Sequence, residues 1–138
     1  ENFKVISSFI KDMSSETPDA QTFIFVKDKI SKYRLNIDIN SRAVKNGIIE
    51  VDTILKFTDQ PEVLKKSHFE ITYASIVKIN EKVSDKKEME KIILCDVPNK
   101  IYPDLERIFL NLLTDSGYPG IKFEKKINFT ELYKQRAN

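Results

Sequence analysis

The residue types that most often carry chemistry are scarce in this chain. Its 138 residues include one Cys (Cys95), one His (His68), no Trp, and Gly only at 47, 117 and 120. One His and one Cys cannot build a Cys/His zinc site within a single chain, so no metal is expected. Three widely spaced glycines write neither a Walker A loop nor a GxGxxG turn, so any activity runs without a nucleotide motor of its own. Cys95 has no His near it in sequence and reads as a buried structural thiol rather than a nucleophile. Gly117-Tyr118-Pro119-Gly120 imitates a KH-type GxxG clamp, but Pro119 lacks the N–H that a phosphate would need. Carboxylate pairs are everywhere among 21 acidic side chains and single out no active site. The expectation is a protein without catalytic residues or cofactors, and not an enzyme.

Composition narrows the partners. With 41% hydrophobic and 32% charged residues the chain is globular, and one domain spanning 1–138 is expected. Twenty-three basic against 21 acidic side chains give a net charge of +2, too balanced to make nucleic acid or an anionic membrane the default partner. Nineteen of the cations are Lys and four are Arg, and bidentate base or phosphate readout favours Arg. A single Cys excludes an intrachain disulfide framework, as expected in a reducing compartment. No apolar run approaches 18 residues, so no membrane insertion is expected. The chain starts at Glu1 without an initiator Met, so some upstream residues are expected to be missing, and no secretory h-region is visible.

The elements that must position these residues are strands first and helices last. Phe3, Val5 and Phe9 alternate with polar neighbours, although Ile6 and Ile10 blur the pattern. Residues 14–22 carry Ser, Asp and Pro and read as a loop, continuing into an unusually apolar connection at Phe23, Ile24, Phe25 and Val26. Leu35, Ile37 and Ile39 show period 2, and Asn46-Gly47 predicts a type I′ hairpin. The returning strand places Ile49, Val51, Thr53, Leu55 and Phe57 on one face. The fourth places Phe69, Ile71, Tyr73, Ser75, Val77 and Ile79 on one face and His68, Glu70 and Thr72 on the other. Residues 81–88 read as a charged connector, and Met89–Leu94 as a short helix interrupted by Pro98. Pro103 suits the first position of the next helix, whose stripe is Leu105, Ile108, Phe109, Leu112 and Leu113, with Gly117 as its stop. That stripe reads as core or oligomer interface. Asn128, with Glu131 three residues on, caps a last short helix. The expected fold is α+β: a four-stranded antiparallel sheet, then a Pro-interrupted long helix and a short C-terminal helix.

Three segments carry a resemblance. Phe9-Ile10-Lys11-Asp12-Met13-Ser14-Ser15-Glu16-Thr17-Pro18 resembles Y-x-K-D-[IL]-S-x-E-x-P. Val97-Pro98-Asn99-Lys100-Ile101-Tyr102-Pro103 is similar to C-P-x-x-L-F-P. Gly117-Tyr118-Pro119, then Asn128-Phe129-Thr130-Glu131-Leu132-Tyr133, is similar to G-[FY]-P followed by N-F-x-x-L-[FY]. In this order and spacing they identify the chain as similar to SecB, the bacterial protein-export chaperone family, as a divergent member. Val97 replaces the Cys of the second segment, and the chain is mildly basic where the family is usually acidic.

The resemblance implies an ATP-independent, cytoplasmic holdase. Such a protein assembles as a homotetramer (a dimer of dimers), binds unfolded secretory precursors and hands them to the SecA ATPase. It implies that Asp12, Glu16 and Glu70 dock SecA's basic zinc-binding tail, with His68 standing where the family carries an apolar residue; ordinary solubilising charge is the other reading of these positions. Candidates for the client groove are Phe23, Ile24, Phe25 and Val26, then Ile101, Tyr102, Phe123, Phe129 and Tyr133, against burial in the core. A general or toxin–antitoxin-linked SecB-like chaperone without SecA targeting is the alternative. A nucleic-acid-binding module would instead gather its cations on one face, and a small enzyme would need a closed polar pocket.

Overall fold

The computed structural model describes residues 2–123 and 127–137. Four strands come first: β1 (Phe3–Glu16), β2 (Arg34–Lys45), β3 (Ile48–Thr58) and β4 (His68–Ile79). They form one antiparallel sheet in the order β1-β4-β3-β2. Helix α1 (Ala20–Lys27) lies in the crossover from β1 to β2, and α2 (Lys86–Lys91), α3 (Val97–Asp115) and α4 (Phe129–Ala137) follow β4. The fold is α+β, as the order of strands and helices predicts.

The core lies between the sheet and the helices. Phe57, Phe69 and Tyr73 of the sheet's inward face meet Leu105, Phe109 and Leu113 of α3, and all are buried. Phe57 is the hub of an aromatic cluster, with Tyr33 at 5.4 Å, Phe123 at 5.7 Å, Phe69 at 6.3 Å and Phe109 edge-on at 6.3 Å between centroids. Each fully buried side chain of this size contributes about 1.5–3 kcal/mol. Leu105, Phe109 and Leu113 resolve as core, while Ile108 and Leu112 are half-buried at its margin.

Four local expectations are corrected. Residues 14–16 belong to β1, and the apolar connection is helix α1, because Asp19 acts as an N-cap: its carboxylate accepts from Thr22 N–H at 2.8 Å and Thr22 and Val26 turn inward one helical turn apart. That hydrogen bond holds the Asp19 carboxyl below its ordinary value. The β2–β3 turn is not type I′, since Gly47 alone has positive φ (+74°) and a bulge at Val44 absorbs the difference. The charged connector is helical from Lys86, with Asp85 accepting from Lys87 N–H.

The fourth concerns the helix after it. α2 and α3 run on through Ile92–Asp96, a stretch with π-type hydrogen bonding, so Pro98 marks a change of helical pattern rather than a gap. α3 begins at Val97, and Pro103 lies inside it; the carbonyl Pro103 leaves without a donor belongs to Asn99, an exposed residue that water reaches. The other end of α3 closes as expected. Gly117 takes φ +105°, Tyr118 N–H reaches Leu113 O at 2.9 Å and Gly117 N–H reaches Thr114 O at 3.1 Å, a complete Schellman motif.

Candidate docking face and client grooves

The sheet's outward face collects the acidic candidates. In the β1–β4 ladder Asp12 stands opposite Thr72, Ser14 opposite Glu70 and Glu16 opposite His68. Residues directly opposite share a face, so Asp12, Glu16, Glu70 and His68 form one patch on the side away from α3. Asp12 and Glu16 are exposed, and Glu70 is half-buried with Lys56 of β3 as its other neighbour. His68 Nε2 lies 3.2 Å from Glu70 Oε1, so the histidine takes up part of that carboxylate's capacity.

Beside the patch lies an ion cluster that sequence reading missed. Lys11 is the extra residue of a bulge in β1, and its Nζ crosses over Ala74 to bind Glu50 (2.7 Å) and Asp52 (3.0 Å) on β3. Arg42 of β2 closes the cluster at 3.3 Å from Asp52 and 3.6 Å from Glu50. Asp52 is 3% exposed, and burial pushes its carboxyl above the ordinary range; hydrogen bonding with Asp52 and Lys11 holds Glu50 below its usual 4.5. Glu50 therefore adds stability above 4.5 that is lost as pH falls through its lowered value. The charge on Asp52 costs stability above its raised value, and that cost disappears on acidification. Lys11→Met, which leaves the exposed Arg42 alone to offset the two carboxylates, should lower the melting temperature at neutral pH and much less near pH ~4. Equal offsets at both pH values would contradict this account of the cluster.

On the inward side, the groove candidates separate. Ile24 (67% exposed) and Phe25 (40%) point outward from α1, with Lys29 Nζ 5.9 Å from the Phe25 ring. Phe23 is half-buried, 5.2 Å from Tyr118. Val26, Ile101 and Tyr102 are buried in the core, being 0%, 5% and 8% exposed. Burial, with Glu106 close by, pushes the Tyr102 hydroxyl far above the usual phenol range.

Two hollows hold the rest. One, of about 230 Å³, lies between Ile37, Ile39, Leu94, Phe129, Leu132 and Tyr133. The other, of about 730 Å³, lies between Ile30, Tyr33, Leu35, Phe57, Ile121 and Phe123. Leu35, Ile37 and Ile39, the alternating side chains of β2, thus floor both. The sequence showed that alternation, but not that helices would leave it partly uncovered.

A buried polar knot holds the crossover in place. Ser67 N–H donates to the Tyr33 hydroxyl at 2.8 Å, and its Oγ lies 2.6 Å from Thr17 Oγ1 and 3.0 Å from the Tyr118 hydroxyl. Four segments far apart in sequence meet at one serine, a signal no local pattern carries. Gly117 is the steric counterpart, because a Cβ there would sit 2.6 Å from the Phe23 ring. Gly117→Ala combines that clash with a φ of +105°, so it should cost about 1–3 kcal/mol and displace Phe23. Denaturant titration with a probe beside Phe23 checks it, and an unchanged midpoint would contradict it.

The sheet thus carries the acidic candidates on its outward face and the apolar hollows on its inward side. The family model described as Preprotein translocase subunit SecB matches residues 1–138. The chain belongs to the SecB family. A Pelagibacter ubique protein, named provisionally as the protein-export protein SecB, is 86% identical over 138 residues, covering 100% of this chain and 99% of that one. The protein-export protein SecB of Methylocella silvestris is 26% identical over 131 residues, covering 94% and 79%. The SecB-like chaperone of Mycobacterium tuberculosis, solved with a peptide from the HigA1 antitoxin, shares the fold with a TM-score of 0.65, 11% identity and 91% coverage of both chains. The chain is thus a SecB-like chaperone of a family named for protein export.

Proposed function

We propose that this SecB-like chaperone is an ATP-independent holdase that binds unfolded secretory precursors in the cytoplasm and delivers them to SecA. The observation that carries this reading is the family match over residues 1–138. Client segments would lie along the Leu35–Ile37–Ile39 floor, with Ile24 and Phe25 of α1 as exposed apolar contacts. Phe123 and Tyr133 line these hollows and remain groove candidates, whereas Phe129 borders the smaller one from within the core at 1% exposed. Binding is weak per contact and strong in sum, because one long client engages several sites on one oligomer.

The oligomer is a homotetramer, a dimer of dimers. Its support is β1, a 14-residue edge strand paired on one side by β4, with Ile6, Phe9, Ile10 and Met13 each 42–50% exposed. Such an edge invites pairing with another chain. The test is size-exclusion with mass detection on the chain alone and after mixing with a chemically unfolded precursor, without ATP. A mass near four times 16.1 kDa that carries the precursor is expected; a monomer that leaves it free would overturn the reading.

A second reading has its own support. The M. tuberculosis structural neighbour is a SecB-like chaperone bound to an antitoxin peptide, and this chain, at a net charge of +2, lacks the family's acidic balance. Under that reading clients are held but SecA's tail does not bind.

A further inference from the structure

The outward face of the sheet is charged at both ends, with opposite signs. At the end far from the acidic patch, Lys4 stands opposite Lys78, Lys78 opposite Ile48, and Ile48 opposite Lys45, a row across all four strands. All three lysines are exposed, and none of them forms an ion pair among the described residues. Glu81, in the loop after β4, borders a hollow with Lys45 at the hairpin tip without pairing to it. Lys4 and Lys78, like charges directly opposite on neighbouring strands, repel, and Lys45 adds a third positive charge one strand beyond Ile48, a cost that an anionic partner would remove.

Eight residues along β4, about 26 Å, separate Lys78 from Glu70. Around Glu70 lie Asp12, Glu16 and, in the Asp12 row, Asp38 of β2, offset in part by Lys56 and Arg34. Between the ends the charges cancel, since Lys11 and Arg42 pair with Glu50 and Asp52. The run of β4 over this middle is Thr72, Ala74 and Ile76, small or apolar.

We propose that this face binds an extended peptide of two-ended charge, its basic end on Asp12, Glu16 and Glu70 and its acidic end on Lys4, Lys45 and Lys78. It rests on the docking reading above and adds the lysine row and the acidic half of the ligand. The span calls for about nine extended residues. Charge complementarity selects this occupant over a lipid surface, because an anionic membrane attracted by the lysines would be repelled by the carboxylates on the same plane.

The test uses the full chain and three labelled peptides of about twelve residues. One has a Lys/Arg block and an Asp/Glu block separated by Ser and Thr; one keeps the basic block alone; one has the first composition with charges alternating. Fluorescence anisotropy at low salt should find the two-block peptide about tenfold tighter than either of the others. The Lys4→Gln, Lys45→Gln, Lys78→Gln triple variant should reduce it to the level of the basic peptide and leave the basic peptide's binding undiminished. Equal binding of the two-block and basic peptides to the wild type would overturn the inference while leaving acidic docking intact. Loss of the basic peptide alone, with the lysine effect kept, would overturn the docking reading instead. If the triple variant changes the native mass, the row faces a second copy, and if it abolishes binding to anionic vesicles but not to the two-block peptide, it faces lipid; either result overturns the proposal.

Discussion

Phe69→Ala should cost about 3–5 kcal/mol of stability, among the largest effects of any single substitution in this chain. Phe69, the second residue of β4, is fully buried on the inward face, edge-on to Tyr118 at 5.6 Å and tilted against Phe57 at 6.3 Å. Truncation leaves a cavity beneath α3 that the surrounding rings, fixed by one another, cannot fill. The effect also reaches the outward face, because Phe69 lies between His68 and Glu70 and anchors the stretch of β4 that presents them. Denaturant unfolding at one fixed protein concentration measures it, since assembly, as proposed, would make stability concentration-dependent. Phe69→Leu, which keeps most of the volume, should lose much less. A cost below about 1 kcal/mol for Phe69→Ala would mean that the residue is not packed as described.

Removing the charge of Asp12, Glu16 and Glu70 together should weaken binding of SecA's basic tail by about tenfold or more, equivalent to ~1.4 kcal/mol. Exposed pairs contribute little singly, so the three are replaced together by Ala. The residual binding should depend less steeply on salt, because fewer charges remain to be screened. Client holding should be unaffected, since these side chains lie on the opposite side of the sheet from the β2 floor of the hollows. Titration of the tail peptide by calorimetry at two salt concentrations is the measurement. Unchanged affinity would show that the patch is solubilising charge, as ordinary carboxylates on an outward strand face usually are.

How far the sequence exposed this arrangement differs by element. β3 and β4 were readable because one face of each meets α3 and the alternation is clean. β1 was readable as a strand but not in its facing, for a definite reason: bulges at Ile6 and Lys11 shift its phase twice, so Phe3 and Val5, then Ser8 and Ile10, then Met13 and Ser15 face inward. Phe9, grouped by alternation with Phe3 and Val5, therefore lies on the outward face. Helix α1 was hidden because Pro18-Asp19 reads equally as a turn or as an N-cap, and eight residues give too little periodicity to decide. The acidic patch was legible through its motif positions. The Lys11–Asp52 cluster, the Ser67 knot and the lysine row were not, since each depends on the register between strands distant in sequence.

The central claim is that this chain holds unfolded precursors without ATP. It is tested most directly by the refolding rate of a secretory precursor diluted from denaturant into the purified chain, with no nucleotide present. The account predicts that the rate falls progressively and approaches zero at about one tetramer per precursor, because a client engaging several sites dissociates slowly. A refolding rate that stays at its spontaneous value through a stoichiometric excess of tetramer would contradict it.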